Sequence, residues 1–225
     1  MNQPSSLIGL RLMQLADSAF PSGSFTQSFG LETFIERGDL KTKEELAQFM
    51  QTFLYYTWRP TDLLAVKLAW QATQQSDMEH LYLLDQRLNA MKLPSESREG
   101  SRKMGRRLHK LLAEIDPNYP LKLHLPFGHQ AIILGHYGAT AGIELTFLLT
   151  AFSHMTTASL IANGVRAIPL GQTSGQQVLA LLQPLLDTCI QWVTTATEKD
   201  LGGSAPAFDW AGMAHERLYS RIFMS

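Results

Sequence analysis

The chain has 225 residues, enough for one domain of generous size or two small ones, and length alone does not decide between these. Charged residues make up only 17% of it, below the roughly 25% of an average globular protein, which suggests that something other than water covers part of the surface. The net charge of −1 argues against broad electrostatic binding to nucleic acid.

The single cysteine, Cys189, excludes an intrachain disulfide, and a lone thiol without a secretion signal fits a reducing cytoplasm. No basic region followed by an apolar core opens the sequence, so no signal peptide is predicted. The most apolar tract, residues 131–162, is interrupted by His136, Glu144 and His154. We therefore predict a buried helix there rather than a membrane span, and a cytoplasmic protein.

Turn-forming residues and three phenylalanines concentrate near the start of the chain, in the stretch LADSAFPSGSFTQSFGLE at residues 15–32. Pro21 and Gly23 are expected to turn the chain between two helices, and Asp17 or Ser24 to cap exposed helix ends. A nucleophilic serine here would need a positioned base, and the sequence indicates none. We interpret the stretch as a shaped corner for packing and protein contact.

Helical periodicity dominates the chain after this corner. In EELAQFMQTFLYYTW, apolar residues recur at i, i+3, i+4, i+7 and i+8 and form one stripe. Thr42 with Glu45 predicts a capping box, and Ser76 with Glu79 predicts a second one. Pro60 is expected to break or kink the chain, because it lacks an amide hydrogen and clashes with the preceding turn.

A further helix is predicted from Ser95 to Ile115, followed by a proline-rich loop at residues 116–126. Basic residues recur at i, i+4 along this helix and form a stripe that either meets an acidic partner or is simply solvated. The stripe comprises Arg98, Arg102, Arg106 and Lys110.

The apolar helical region that follows carries Gly135, Gly138 and Gly142 on one helical face, where another backbone can approach closely. This spacing is typical of tight packing within a soluble chain, and it is also a reasonable dimer seam. The Asn-Gly pair in LIANGVRAIP is a hairpin signal, yet the pattern before it is helical. We predict helix to about Ile168, stopped by Pro169.

The remainder of the chain is also predicted to be helical. Residues 174–199 form one helix, LGGSAPAFD forms a loop, and WAGMAHERLYSRIF forms a last short helix. No internal repeat and no domain boundary is found. The sequence therefore predicts a single all-α domain over residues 1–225, a bundle of about eight to ten helices.

Motifs for catalysis are absent from the sequence. It contains no G-x-x-x-x-G-K-[ST], H-E-x-x-H or G-x-S-x-G pattern, and one cysteine excludes thiolate zinc sites. His129 and His136 share a helical face but lie roughly 10 Å apart along its axis, too far for one metal ion. We predict no cofactor, no metal site and no catalytic residue.

The C-terminal sequence HERLYSRIFMS alternates aromatic and apolar residues with arginines up to Ser225. Chain termini are usually polar and frayed. This tail is therefore either packed on its own domain or kept for a partner, and arginine and tyrosine are enriched at binding hot spots. The sequence favours neither alternative.

Three segments together resemble the UreF family of urease accessory proteins: RLMQLADSAFPSGSFTQSFGLE, GVRAIPLGQTSGQQVLALL and MAHERLYSRIFMS. SRKMGRRL and HQAIILG in the middle of the chain are similar too, so the likeness covers nearly all of it. Gln27 departs from the family pattern, since many members have histidine there. A metal or proton role for that side chain is therefore in doubt.

The resemblance implies an all-helical protein that forms homodimers and is not an enzyme. UreF proteins bind UreD (also called UreH), and the pair recruits the GTPase UreG. The assembly delivers nickel to apo-urease (UreABC). By this likeness the chain is a chaperone for nickel insertion, without nucleic-acid or membrane partners.

The resemblance also implies where partners bind. The opening motif contributes Asp17, Phe20, Pro21, Gly23, Phe25, Ser28 and Glu32. The UreG-facing side contributes Arg166, flanked by Gly171, Gln172 and Gln176. The UreD-facing surface contributes His215, Glu216, Arg217, Tyr219, Ser220 and Arg221. The N-terminal segment 1–6 and the tail 216–225 are expected to take part in partner binding or to be ordered by it.

Two rival interpretations belong to other classes of protein. An all-α metal-dependent enzyme would use His136, Glu144 and His154 in the bundle core, unless these groups are simply satisfied locally. A DNA-binding regulator would use the arginine-rich helix, although the near-neutral net charge weighs against it.

Overall fold

The structure of the protein is a computed structural model, and it describes residues 5–21, 23, 27–203, 205–219 and 221–223. Phe25 and Ser220, two of the predicted partner-binding residues, lie outside the described residues, as does most of the N-terminal segment 1–6. The described chain is helical and contains no β-strand. The all-α prediction is therefore confirmed.

Helices succeed one another with short connections. The α-helices are α1 Ser5–Ala16, α2 Leu31–Glu36, α3 Lys43–Thr52, α4 Leu64–Gln74, α5 Met78–Met91, α6 Ser95–Ile115, α7 Gln130–Thr140, α8 Leu145–Ala167, α9 Gln172–Thr195 and α10 Pro206–His215. A π-helix, Phe53–Leu63, joins α3 directly to α4, and a 3₁₀ turn, Glu198–Asp200, follows α9.

The π-helix corrects the expectation for Pro60, which lies inside a helix that continues without a break. Leu64 N–H donates to the carbonyl of Arg59, five residues earlier, as a π-helical hydrogen bond requires. The chain thus accommodates the proline by changing its hydrogen-bond register rather than by ending the helix.

The centre of the fold is the close packing of α4 against α7. A Cβ atom on Gly135 would lie 2.4 Å from the Val66 carbonyl oxygen, and one on Gly138 would lie 2.3 Å from Leu148. Gly142 has φ +68° and forms the turn between α7 and α8. The apolar region is therefore two helices. Gly135 and Gly138 pack inside the chain, and Gly142 lies in the turn, so the three glycines do not form one face for a dimer seam and that expectation is wrong.

Of the two predicted capping boxes, the structure contains the first but not the second. Thr42 Oγ1 accepts from the backbone N–H of Glu45, whose carboxylate accepts in return from Thr42 N–H, so the first capping box is confirmed. Ser76 instead has a left-handed backbone, φ +57°, and the N-cap of α5 is Asp77, which accepts from His80 N–H at 2.9 Å. The N-cap is thus one residue later than predicted, and the second capping box is wrong.

The predicted helix ends hold for α6 and α8, but the helix predicted over residues 174–199 spans Gln172–Thr195. The structure confirms α6 as predicted, and α8 ends at Ala167 with no hairpin at Asn163. By contrast α10 starts earlier than predicted, at Pro206, and ends at His215. Proline is favoured in the first turn of a helix, which explains the early start.

Helix α8 is long and apolar enough, by length and composition, to cross a membrane, with a mean hydropathy of 1.4 over an 18-residue window. It contains buried core residues, among them Leu148, Leu149 and Phe152, and it packs against α1 and α9. A core helix of a helical domain has the same composition, as the sequence predicted for this region.

Candidate functional site

His215 connects three helices at the end of α10. It is completely buried, and its Nδ1 lies 2.6 Å from Oε2 of Glu96 in α6. Its Nε2 lies 2.9 Å from Oε2 of Glu32 in α2. Ionised carboxylates only accept hydrogen bonds, so an imidazole ring that donates from both nitrogens satisfies both partners.

The same two carboxylates hold the chain after α10. Glu32 accepts the backbone N–H groups of Ile222 at 2.6 Å and Phe223 at 3.0 Å. Arg221 donates to Oε1 of Glu96 at 2.7 Å. These bonds fold the tail back onto α2 and α6, which is why α10 does not continue. We call the arrangement the tail clasp; it comprises Glu32, Glu96, His215 and residues 221–223.

The end of α8 brings a third segment to the tail clasp. The Arg166 guanidinium lies 5.0 Å from the centroid of the buried Phe223 ring and donates to Asn163 Oδ1. Asn163 in turn donates to the Gln27 carbonyl at 2.6 Å. Burial lowers the pKa of Arg166 from its ordinary value. The opening motif, the end of α8 and the C-terminal tail therefore meet at one place.

The N-terminus of α6 is tied to the tail by another contact. Ser95 Oγ donates to the Glu216 carboxylate at 2.5 Å, and Ser95 N–H lies 3.3 Å from the same oxygen. A carboxylate at this end of a helix also interacts favourably with the helix dipole. Glu216 is thus held beside the tail clasp, although it is exposed.

A cleft of about 660 Å³ opens beside the tail clasp. Charged side chains of both signs line it, from Glu96 and Arg98 to Lys103. Gln27, at the position where histidine was expected, is buried here, and a Cβ on Gly100 would lie only 2.2 Å from its Oε1 atom. The side chain at position 27 is therefore closely packed against α6.

Burial divides the predicted partner-binding residues into two groups. Ser28, Glu32 and His215 are buried and support the fold around the tail. Tyr219 is fully exposed and Arg217 is exposed as well. The exposed members of the set are reachable by a partner without rearrangement of the tail clasp, whereas the buried ones are not.

The opening motif is a turn that packs against the fold. Asp17 accepts from Ala19 N–H at 2.7 Å, so it stabilises the turn after α1 rather than the start of a helix. Gly23 has φ +86°, which favours glycine, and Pro21 is exposed. Phe20 is half-buried and packs against the hydrophobic core, as expected for a packed corner.

The residues that flank Arg166 in the sequence lie elsewhere. Gly171, Gln172 and Gln176 are exposed at the start of α9. Within the ranges that the structure describes, no hydrogen bond or ion pair joins them to the tail clasp. Proximity in sequence to Arg166 therefore does not make them part of the same site.

The basic stripe of α6 is largely engaged within the chain. Arg98 donates to the carbonyl of Lys92 at 2.7 Å, and Arg102 and Arg106 pair with Glu99 at 3.3 and 3.0 Å. Arg102 also donates to Asn89. Most of the charge of the basic stripe is therefore already paired within the chain.

The three residues of the rival enzyme site have separate local roles. His136 Nδ1 lies 3.2 Å from the Tyr119 hydroxyl, and burial lowers the pKa of His136 to about 4. Glu144 accepts from Thr146 N–H at the start of α8, and His154 is exposed. Across the described part of the chain, no group of three or more His, Cys, Asp or Glu residues is placed to hold a metal ion.

Sequence reasoning did not identify Glu96 or Asp85 as key carboxylates. Asp85 accepts the backbone N–H groups of Phe127, Gly128 and His129 at 2.7, 2.9 and 2.9 Å, just before α7. Both carboxylates accept hydrogen bonds from residues far away in the sequence. A single acidic residue within a helix carries no signal of such a partner.

Comparison with known proteins gives the family. The UreF family model matches residues 40–183. The chain belongs to the UreF family. Three curated relatives are each named urease accessory protein UreF. That of Lachnoclostridium phytofermentans is 36% identical over 223 residues, which cover 96% of this chain and 98% of the relative.

The other two UreF proteins match to a similar extent. That of Bacillus sp. (strain TB-90) is 35% identical, with 96% of this chain and 98% of the relative covered. That of Geobacillus kaustophilus is 38% identical, with 96% and 97% covered. These names describe accessory proteins rather than urease itself, which agrees with the absence of catalytic motifs from the sequence.

Proposed function

We propose that this chain is a non-enzymatic adaptor in urease maturation that binds UreD (UreH) and, with it, recruits the GTPase UreG to deliver nickel to apo-urease. Membership of the UreF family and the names of the relatives support this role. The chain needs no cofactor of its own in this role, since it supplies surfaces rather than a reacting group.

The tail clasp is the observation that carries the proposal. It joins the opening motif and the tail, and it leaves Tyr219 fully exposed and Ile222 70% exposed. Exposed aromatic and apolar side chains beside arginines are typical of binding hot spots. We place the UreD-facing surface on this tail, with the buried residues of the tail clasp setting its shape.

The contact of Arg166 with Phe223 supports a link between the two partner surfaces. Arg166 belongs to the side assigned to UreG, and Phe223 belongs to the tail assigned to UreD. A partner that moves the tail would therefore change the surroundings of Arg166. Binding of UreD would in this way prepare the surface that UreG recognises.

The adaptor is proposed to work as a homodimer in the cytoplasm. Helix α1 exposes Leu10 and Met13, with exposed fractions of 64% and 72%, and Leu7 lies on the same side. Exposed apolar surface of this kind supports self-association. Light scattering of the purified chain should give the mass of a dimer, and Met13→Glu should shift it toward the monomer.

Reconstitution tests the adaptor role. The purified chain should hydrolyse no GTP, should co-elute with UreD, and should co-elute with UreG only when UreD is present. Cells that lack the chain should contain urease without nickel. Normal urease activation in such cells would contradict the proposal, and stoichiometric iron or manganese in the fresh protein would favour the rival enzyme.

A further inference from the structure

The cleft of about 660 Å³ beside the tail clasp carries more positive than negative charge. Among the described residues that line it, only Glu96 and Glu99 bring a carboxylate. The cations are more numerous: Arg98, Arg102 and Lys103 of α6 and Arg221 of the tail. Four cations against two carboxylates leave an excess of two positive charges.

Both carboxylates of the cleft are shared with groups that do not line it. Glu99 also contacts Arg106, at 3.0 Å. Glu96 contacts the buried His215 at 2.6 Å as well as Arg221 at 2.7 Å. Part of the negative charge is thus directed away from the cleft, and its own cations are less than fully neutralised.

Arg98 and Lys103 line the cleft without a carboxylate partner within the part of the chain that the structure describes. Nη1 of Arg98 donates to the backbone carbonyls of Lys92 at 2.7 Å and Leu93 at 3.1 Å, which orient the guanidinium but carry no charge. A guanidinium already held in this way loses little conformational freedom when it binds a further acceptor. Lys103 is exposed. Both cations are therefore available to an acidic group from outside.

One carboxylate of the chain itself already binds at the end of this cleft. Ser95 lines the cleft and donates through Oγ to Glu216 at 2.5 Å. Counting Glu216 as a third carboxylate still leaves one positive charge in excess. The backbone N–H groups of the first turn of α6 add partial positive charge at the same end.

The position of the cleft argues for a protein as its occupant. Arg221 and Phe223 of the tail form one side of it, and the tail also carries the exposed Tyr219 and Ile222. The cleft is therefore continuous with the proposed UreD-facing surface. Charge complementarity then selects an acidic segment, because like charges placed at this cleft would repel.

We propose that this cleft binds an acidic segment of UreD, with one carboxylate on the guanidinium of Arg98 and another beside the ammonium of Lys103. The inference rests on the proposed function in taking UreD as the partner. It extends the UreD-facing surface from the tail onto the first half of α6. It also makes the association dependent on salt.

The test compares three variants of the full chain in binding to UreD by biolayer interferometry. Lys103→Glu reverses one charge of the cleft, and Arg98→Gln removes the other. Lys110→Glu is the matched control, because it makes the same change in net charge on the same helix, at a side chain that is 79% exposed and does not line the cleft. Thermal unfolding verifies the fold of each variant, and Lys103→Glu decides the result where Arg98→Gln is unstable.

We expect Lys103→Glu and Arg98→Gln to weaken UreD binding by about tenfold or more, while Lys110→Glu changes it by less than about twofold. Raising the salt from about 0.05 to 0.5 M should weaken the wild type more than Lys103→Glu. A carbodiimide, which joins an ammonium to a carboxylate in contact with it, should link Lys103 to an aspartate or glutamate of UreD. Lysine at that UreD position should restore binding to Lys103→Glu.

The outcomes separate this inference from the proposed function. Wild-type affinity of folded Lys103→Glu for UreD would overturn the acidic occupant while leaving the adaptor role in place. An equal loss in Lys110→Glu would overturn it too, because it would indicate a general effect of net charge. If the wild-type chain did not bind UreD, the adaptor role and the occupant of the cleft would both be wrong.

Discussion

His215 and Glu32 are 183 positions apart in the chain, yet Nε2 of the histidine lies 2.9 Å from a carboxylate oxygen of the glutamate. Glu32 uses its oxygens at the same time to hold the backbone of Ile222 and Phe223. One buried pair thus joins the opening motif of the chain to its last described residues. The conformation of the tail therefore depends on buried residues of the fold.

Substitution of His215 tests this dependence. His215→Ala leaves the buried carboxylate of Glu32 and the half-buried carboxylate of Glu96 without their shared donor, and we expect the free energy of unfolding to fall by about 3 kcal/mol. Chemical denaturation measures the change. Lys199→Ala, at an exposed residue of the 3₁₀ turn, should stay within about 0.5 kcal/mol of wild type. Equal stability of the two variants would mean that the tail clasp contributes nothing to folding.

Tyr219 provides the opposite case, because its side chain is fully exposed. Tyr219→Ala should leave the free energy of unfolding within about 0.5 kcal/mol of wild type and weaken binding to UreD by about tenfold or more. Denaturation and binding are measured on the same preparation. Undiminished UreD affinity would remove the tail from the proposed UreD-facing surface.

The sequence predicted those parts of the fold that short-range physics determines. The capping box of Thr42 and Glu45 and the whole of α6 follow from caps and periodicity within a few residues. The second capping box does not form, because Asp77, next to Ser76, is an equally good N-cap and Ser76 has a left-handed backbone.

Long-range contacts explain what the sequence could not predict. The tail clasp needs Glu32, Glu96 and His215 to meet across the fold, and no spacing in the sequence encodes that meeting. The π-helix around Pro60 is likewise a change of register that periodicity reads as a break. The family resemblance did point to the segments that converge, but it did not separate their buried from their exposed members.

The glycines of α7 provide a test of packing inside the chain. Gly135→Ala would place a Cβ 2.4 Å from the Val66 carbonyl oxygen, so α4 and α7 must separate, and we expect a loss of about 2 kcal/mol or more. Gly9→Ala in α1 meets no atom within 4 Å and should stabilise the chain by about 0.5–1 kcal/mol. Thermal and urea unfolding report both. A stable Gly135→Ala variant with altered dimer affinity would restore the dimer seam.

Lys67 is a buried cation whose ammonium caps the carbonyl groups at the C-terminal end of α9. Its ammonium donates to the carbonyls of Thr194 at 3.0 Å and Ala196 at 2.6 Å, and burial lowers its pKa. Lys67→Met removes both donors and leaves the carbonyls unsatisfied, which should cost about 2 kcal/mol in urea denaturation. Lys110→Met, on the exposed face of α6, serves as control and should be nearly neutral.

Acid should destabilise the protein through its buried histidines. Burial lowers the pKa of His136 to about 4 and that of His129 to about 3, whereas the unfolded chain titrates near 6.5. Below pH 6.5 the unfolded state therefore binds protons that the folded state does not. The stability that these neutral rings provide is present above pH 6.5 and is lost as the pH falls.

The variant His136→Gln removes the proton uptake of one of these histidines on unfolding. Between pH 6 and about 4.5 we expect the dependence of the free energy of unfolding on pH to become shallower by about 1.2 kcal/mol per pH unit. Urea unfolding at a series of pH values measures that slope, corrected for the change in stability at pH 7.5. His124→Gln, the same substitution at an exposed histidine, should leave the slope as it is. Equal slopes in both variants would show that His136 takes up its proton in the folded state, and that its burial does not keep it neutral.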